Sequence, residues 1–172
     1  AAMFSATGGI NTHKGLVFAS AILCGALGKV HAGRELPLPF ADVLQECRRL
    51  GKCSLSDLHR PPNVQPPLPT NGERIFTAYG IRGARGEAAA GFPSAVQIGL
   101  PALRKWLSAG FSLNDSAAMA LLTLISEVDD TNMVHRGGPE LAKKRKEQAK
   151  ILLSAVTKEN FKGNFRGNKQ SI

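Results

Sequence analysis

Aromatic residues are scarce in this chain, at 6% of its 172 residues, and it contains one Trp and one Tyr. Runs in which apolar and polar residues alternate are also missing, so the signals for β-strands are weak. The three cysteines, Cys24, Cys47 and Cys53, are odd in number and irregularly spaced. They fit neither a disulfide framework nor a zinc site, and we therefore expect the protein to reside in the reducing cytoplasm.

Long hydrophobic runs are missing as well. The longest, Leu16–Leu27, is shorter than the roughly 20 residues that cross a bilayer, and it lacks the flanks of a signal peptide. We therefore expect no membrane association. The contents of hydrophobic and charged residues, 43% and 20%, are ordinary for a globular protein.

Positive charge exceeds negative charge, with 22 Lys and Arg against 13 Asp and Glu and a net charge of +9. Most of the excess lies in residues 136–172, which hold ten Lys or Arg and three Glu. Such a segment can bind polyanions, and a solvated helix face explains it as well. The few aromatic residues and the lack of a nucleic-acid-binding motif argue against a nucleic-acid partner.

Apolar residues at helical spacing predict an all-α fold. The predicted helices cover Leu16–Gly28, Phe40–Leu50, Ala95–Leu107, Ser116–Val128 and Pro139 to about Val156. The first is apolar nearly all round, which predicts a buried central helix with Cys24 in the core, and Cys47 is expected on an inner helix face. We predict a helical bundle with Gly/Arg-rich active-site loops, as a single domain over residues 1–158 with a basic, mobile tail over 159–172.

The first segment that breaks the helical pattern is Ala6–Gly15. Its adjacent glycines expose backbone N–H groups, and its short polar side chains and lysine precede a helix start, where the helix dipole favours anions. A glycine turn with an Asn or Thr cap would leave the same pattern. The candidate phosphate-binding residues of this segment are Gly8, Gly9, Asn11, Thr12, His13 and Lys14.

The second segment, Tyr79–Pro93, holds four glycines around Arg82, Arg85 and Glu87. Glycine lets the backbone approach a ligand closely, and the planar guanidinium group of Arg matches phosphate oxygens. Glu87, set among cations, stays ionised and could act as a base or hold a metal. A structural loop held by an internal ion pair between Arg and Glu87 is the alternative.

The third segment, Glu127–Pro139, begins where an apolar helix ends in acidic residues. The neighbouring carboxylates of Asp129 and Asp130 suit a Mg²⁺ ion that also binds substrate phosphates. Further along, Arg136 and the pair Gly137–Gly138 precede a helix start and repeat the pattern of an anion site. An exposed acidic helix end followed by a turn is the alternative.

Together and in this order, the three segments resemble the triphosphoribosyl-dephospho-coenzyme A synthase family. The matching stretches are Thr7–Gly15, Tyr79–Ala88 with Gly91–Pro93, and Asp130–Asn132 with His135–Gly138. The resemblance implies an all-α transferase that joins ATP to 3′-dephospho-coenzyme A, releases adenine and forms 2′-(5″-triphosphoribosyl)-3′-dephospho-coenzyme A. That product is the prosthetic-group precursor that a separate transferase attaches to the acyl carrier protein of citrate lyase or malonate decarboxylase.

The resemblance also implies roles for individual residues. Loss of adenine from the ribose builds positive charge that carboxylates stabilise, so Glu87 and Asp130 are the candidate catalytic residues, with the division of roles between them open. Mg²⁺ is expected as the cofactor, with Asp129 and Asp130 as its ligands and ATP as a substrate. Besides the residues of the first segment, those expected to bind substrate phosphates are Arg82, Arg85, Asn132, Arg136, Gly137 and Gly138.

The resemblance covers the C-terminal part of the family's length, because the family has a further region upstream of the motif at Thr7. We therefore expect a natural short form, a processed product or a fragment, which needs a second polypeptide to complete the helical bundle. A homo-oligomer is a further expectation. A non-catalytic fragment and a basic nucleotide- or nucleic-acid-binding module are the alternative functions.

Overall fold

A computed structural model of the chain describes residues 5, 6, 8, 13–55 and 70–156, and their regular structure is helical throughout. This confirms the prediction of an all-α fold. The elements are α1 (Lys14–His31), α2 (Phe40–Cys53), α3 (Asn71–Tyr79), α4 (Gly83–Ala90), a π-helical turn (Ser94–Gly99), α5 (Leu100–Ser108), α6 (Leu113–Glu127) and α7 (Thr131–Ala155).

The chain divides into two compact units, Ala1–Phe92 and Pro93–Ile172. Each unit has its own set of packed helices, and each is described by itself below. The expectation of one domain over residues 1–158 stays a prediction. The predicted tail over 159–172 lies outside the described residues.

The first unit is built from α1, α2 and α4, which pack against one another. Its core contains the buried residues Ala26 from α1 and Val43 and Cys47 from α2, so Cys47 lies on an inner helix face, as predicted. The helices α2 and α4 cross at very short range, because a Cβ atom added to Gly51 would overlap the backbone of α4 at Ala88. The crossing therefore requires glycine at position 51.

The prediction that the first helix is buried nearly all round is wrong within the described residues. Ala26 is the residue of α1 that is buried, whereas Leu16 and Val17 are 65% and 63% exposed. Cys24 is exposed rather than in the core. The reason is that α1 packs on α2 and α4 along the side that carries Ile22, Ala26 and Val30. The side chains of Leu16, Val17, Leu23 and Leu27 are exposed.

The 18 residues of α1 also bear on the expectation of no membrane association. By length and mean hydropathy alone, α1 meets the requirement for a helix that crosses a membrane. Core helices of soluble proteins and signal sequences meet the same requirement. The expectation of no membrane association therefore stays a prediction.

The second unit is centred on α6, which packs against α5, α7 and the π-helical turn. Its buried apolar residues include Met119 of α6 and Val134 of α7. The hydroxyl oxygen of Ser112 accepts a hydrogen bond from the N–H of Asp115 at 3.1 Å and so caps α6. Because of this cap, α6 begins at Leu113, three residues before the predicted start.

Two other helix boundaries differ from the prediction for backbone reasons. The segment Ala95–Leu107, predicted as one helix, is a π-helical turn followed by α5, and Pro101 has no N–H to continue an α-helical ladder from the preceding turn. The helix α7 begins at Thr131 rather than at Pro139, but Gly138 interrupts it with φ 76° and ψ 170°. Pro139 therefore starts the second stretch of α7, as predicted.

We predict that Gly51→Ala destabilises the protein by about 1–3 kcal/mol, the usual range for an overpacked core. The added methyl group would meet the backbone of α4, which cannot move aside as a side chain can. Gly28→Ala is the matched control, since it lies in α1 with nothing within 4 Å of the added Cβ atom, and alanine favours a helix there. Urea unfolding measures both variants, and equal stability would contradict the close crossing of α2 and α4.

Candidate functional site

The second motif folds into helices, which corrects the prediction of a Gly/Arg-rich loop. Arg82 precedes α4, and Arg85 and Glu87 lie on α4 itself. Gly80 and Gly91 end α3 and α4 in left-handed conformations, with φ of 71° and 80°, which glycine adopts without a steric penalty. The glycines therefore delimit two short helices instead of opening one loop.

Arg85 is held by a carboxylate that the sequence interpretation missed. Its Nη1 atom lies 3.3 Å from Oε1 of Glu73, and the two side chains are 28% and 27% exposed. Through Oε2, Glu73 also accepts hydrogen bonds from the N–H of Thr70 at 2.7 Å and from its hydroxyl at 3.0 Å. The spacing of Thr70 and Glu73 is the signature of a helix capping box. This spacing is the sequence signal that could have identified Glu73.

The surroundings of Glu73 keep its carboxylate ionised. The hydrogen bond from the N–H of Thr70 is the main cause that lowers the pKa of Glu73; the Thr70 hydroxyl and Arg85 lower it further, against an opposing effect of burial. Because this folded-state pKa is depressed, the carboxylate stabilises the fold above its ordinary pKa, and that contribution is lost as the pH falls through the folded value. Arg85 therefore has an anionic partner near neutral pH.

Half of the predicted residues of the first motif lie in the described part of the chain. Gly8 has a φ of 60°, His13 precedes α1 and Lys14 is its first residue, and all three are exposed. The predicted residues outside the described part are Gly9, Asn11 and Thr12.

The first two motifs meet inside the first unit. A Cβ atom added to Gly15, the second residue of α1, would lie 3.8 Å from Cβ of Ala84, the second residue of α4. The first turns of the two helices therefore adjoin, with Lys14 and Arg82 among their exposed residues. Two positive helix ends and two cationic side chains together favour a phosphate group.

The far end of α4 is held by Arg48 of α2, another residue that the sequence interpretation missed. Its Nε atom donates a hydrogen bond to the carbonyl oxygen of Ala90 at 3.1 Å. A Cβ atom on Gly91 would lie 2.8 Å from the same nitrogen, so glycine leaves the room that Arg48 needs. Contacts at Gly51 and Arg48 thus hold α4 in its middle and at its end, and they fix the position of the helix that carries the candidate site.

The third motif lies in the second unit, where its two carboxylates take different partners. Oδ1 of Asp130 caps α7 by accepting hydrogen bonds from the N–H groups of Asn132 at 2.6 Å and Met133 at 3.2 Å. A carboxylate oxygen of Asp129 instead lies 2.6 Å from Nζ of Lys146. Asp130 is half-buried and Asp129 is exposed.

The acidic pair fits a magnesium ion in part. The hydrogen bonds of Asp130 use Oδ1, which leaves Oδ2 for a cation. Asp129 also contacts Lys146 through Oδ1, so a cation on its Oδ2 would lie beside the lysine ammonium group. Within the described residues, no group of three or more His, Cys, Asp or Glu side chains could hold a metal. Proteins often bind Mg²⁺ through one or two carboxylates plus substrate phosphates, so an ion here would need the substrate to complete its ligands.

The remaining residues of the third motif lie around a concave surface. Arg136 and Gly137 line a cleft of about 430 Å³ between α6 and α7, and Gly138 breaks α7 directly after them. The structure therefore brings the first and second motifs together in the first unit, and Arg136 and Gly137 to the cleft in the second unit. The candidate catalytic residues Glu87 and Asp130 belong to different units.

Comparison with known proteins adds evidence that is independent of this geometry. Residues 1–169 match the model of the ATP:dephospho-CoA triphosphoribosyl transferase family. Three similar proteins are each named "Probable 2-(5''-triphosphoribosyl)-3'-dephosphocoenzyme-A synthase". The Photobacterium profundum protein is 38% identical over 143 residues, or 81% of this chain and 43% of the relative. The Streptococcus mutans protein is 37% identical over 169 residues, which cover 89% of this chain and 54% of the relative. The Citrobacter koseri protein is 38% identical over 155 residues, which cover 88% of this chain and 49% of the relative.

The chain spans about half the length of the curated relatives it matches. No solved structure matches the chain. The family model nevertheless covers nearly every residue, and the stretches that carried the sequence resemblance all lie inside the match. The chain therefore belongs to the ATP:dephospho-CoA triphosphoribosyl transferase family.

Proposed function

We propose that this chain contributes substrate-binding and catalytic residues to a 2′-(5″-triphosphoribosyl)-3′-dephospho-coenzyme A synthase, which joins ATP to 3′-dephospho-coenzyme A and releases adenine. The observation that carries the proposal is the close approach of the first turns of α1 and α4, where a Cβ atom on Gly15 would lie 3.8 Å from Cβ of Ala84. Membership of the family supports the reaction.

Both substrates are polyanions, and the first unit offers cations for them. Lys14 and Arg82 are exposed at the adjoining helix starts, and Arg85 is oriented by its contact with Glu73. A guanidinium group whose direction is already set loses less conformational freedom when it binds a phosphate. We infer that the triphosphate of ATP binds at this place, with Gly8 and His13 beside it.

The chemistry of the reaction asks for two carboxylates. The bond between C1 of the ATP ribose and the adenine nitrogen breaks, and the 2′-hydroxyl of dephospho-coenzyme A bonds to the same carbon. The hydroxyl loses a proton and the departing adenine gains one. Glu87 and Asp130, each in its own unit, stay the candidates for accepting the proton from the hydroxyl and for stabilising the positive charge on the ribose.

A magnesium ion belongs to the same proposal. Asp130 would hold it through Oδ2, together with phosphate oxygens of the substrate, and the ion would neutralise charge on those phosphates. Asp129 stays a predicted second ligand, although it contacts Lys146 in the structure. Asn132, Arg136, Gly137 and Gly138 stay predicted phosphate-binding residues of the second unit.

The fate of the product completes the proposal. It would be the prosthetic-group precursor for the acyl carrier protein of citrate lyase or malonate decarboxylase, attached by a separate transferase in the cytoplasm. The names of the relatives specify the synthase step alone.

We predict that Asp130→Asn lowers the rate of adenine release about 10²–10⁴-fold, as expected for loss of a general acid or base. The fold should survive, because Asn keeps the oxygen that caps α7 and caps helices as well as Asp does. Asp115→Asn is the control, since it removes the same charge from the first turn of α6.

Adenine is measured by chromatography after incubation with ATP and dephospho-coenzyme A. The assay uses this chain and a form extended upstream of Ala1 to the length of the relatives. Normal turnover of Asp130→Asn would show that Asp130 only caps α7 and has no catalytic role. If neither form releases adenine, the proposed reaction is wrong.

A second prediction concerns the metal. Calorimetric titration of ATP should show tighter binding with Mg²⁺ than with EDTA, and Asp130→Asn should reduce that difference because the variant has no charged Oδ2. The control variant Asp115→Asn should show the same difference in ATP affinity as the unaltered chain. Equal affinity of the unaltered chain in both conditions would exclude a metal-assisted ATP site.

A third prediction separates a binding role of Arg85 from a structural one. Arg85→Lys should weaken ATP binding about tenfold, because lysine lacks the planar fork that matches two phosphate oxygens. The melting temperature should change little, since lysine can still pair with Glu73, and partly exposed pairs contribute little stability. The control, Arg74→Lys, alters an exposed arginine of α3 and should change neither quantity. A lower melting temperature with unchanged ATP binding would assign Arg85 to structure alone.

A further inference from the structure

The cleft in the second unit has the size and lining of a small-molecule site. It lies between α6 and α7, and its volume of about 430 Å³ falls within the roughly 300–1,000 Å³ of typical ligand pockets. Leu122 and Ile125 of α6 line it together with Leu141 and Leu152 of α7. Most of its wall is therefore apolar.

Two arginines supply the formal charge of this cleft. Arg136 and Arg145 both line it, and none of the described residues around it is acidic. Nη1 of Arg145 donates a hydrogen bond to Oε1 of Gln148 at 2.7 Å, and Gln148 also lines the cleft. This contact orients the Arg145 guanidinium group beside the apolar wall.

The break in α7 explains why both arginines reach the same cleft. In an unbroken helix, residues 136 and 145 would project in opposite directions, because nine residues at about 100° each amount to two and a half turns. Gly138, with φ 76° and ψ 170°, adopts a conformation that is essentially restricted to glycine. Gly137 shapes the wall as well, since a Cβ atom there would overlap the side chain of Leu141.

We propose that this cleft binds the pantetheine diphosphate part of 3′-dephospho-coenzyme A. The apolar wall would contact the pantetheine arm, and Arg136 and Arg145 would bind the diphosphate. The identity of the ligand rests on the proposed function. Of the two substrates, ATP has no such arm, so an apolar cleft with two cations selects dephospho-coenzyme A.

The test compares two pairs of variants of the second half of α7. Leu152→Glu places a negative charge in the cleft, and Ile151→Glu is its matched control. Both side chains are exposed, at 55% and 67%, so neither change disturbs the core, and only Leu152 lines the cleft. Arg145→Gln removes a positive charge from the cleft, and Lys144→Gln removes one from an exposed neighbour outside it.

Calorimetry measures the affinity of each variant for dephospho-coenzyme A and for ATP. We expect Leu152→Glu and Arg145→Gln to weaken binding of dephospho-coenzyme A about tenfold or more, since like charges and unpaired phosphates disfavour the complex. The two controls should stay within about twofold, and all four variants should bind ATP normally. 4′-Phosphopantetheine, which has the arm but no adenine, should compete with dephospho-coenzyme A and not with ATP.

Other results overturn the assignment. Unaltered binding of dephospho-coenzyme A by Leu152→Glu and Arg145→Gln would do so, as would a failure of the unaltered chain to bind it. A change of oligomeric state in Leu152→Glu with unaltered ligand binding would make the cleft an interface between copies of the chain.

The same variants separate this inference from the proposed reaction. If Leu152→Glu releases adenine with a normal KM for dephospho-coenzyme A, the proposed reaction stands and the assignment of the cleft as its binding site is wrong. If the cleft variants weaken binding of dephospho-coenzyme A but the extended form releases no adenine, the cleft assignment stands and the proposed reaction is wrong.

Discussion

The backbone contact between α2 and α4 is the constraint on which the first unit's candidate site depends. Gly51 lets the two helices touch at Ala88, and Arg48 holds the last carbonyl of α4. With its middle and end held in this way, α4 has its first turn near Gly15 of α1. The helix that carries Arg85 is therefore positioned by a glycine and an arginine that belong to neither motif.

Several charged residues of the motifs already have protein partners, and this affects how they can act. Arg85 contacts Glu73, Asp129 contacts Lys146, and Asp130 caps α7. Exposed and partly exposed ion pairs contribute little to stability, so a substrate phosphate or a metal ion can compete for these groups. The protein contacts orient the charges before the substrate arrives, at a small energetic cost when the substrate displaces them.

Glycines act in two different ways in this protein. In the first unit, Gly51 and Gly91 leave room for another chain segment to approach. In the second unit, Gly138 has open space around it, and its role comes from its backbone conformation, which breaks α7. The break turns two arginines toward one cleft, so an apparent defect in the longest helix creates a concave, positively charged surface.

Much of this protein could be predicted from local sequence patterns, because caps, helical periodicity and glycine breaks act within one or two turns of the chain. The all-α class, the helix start at Pro139 and the three motifs are of this kind. The short helix α4 was missed because its glycines suggested a loop, and α3 was missed although the Thr70–Glu73 capping box was visible. Only the tertiary structure decided that α1 exposes most of its apolar surface, that Arg85 pairs with Glu73 twelve positions away and that Arg48 holds a carbonyl forty-two positions away. Such contacts depend on how helices pack, and no local pattern records which distant residues that packing will bring together.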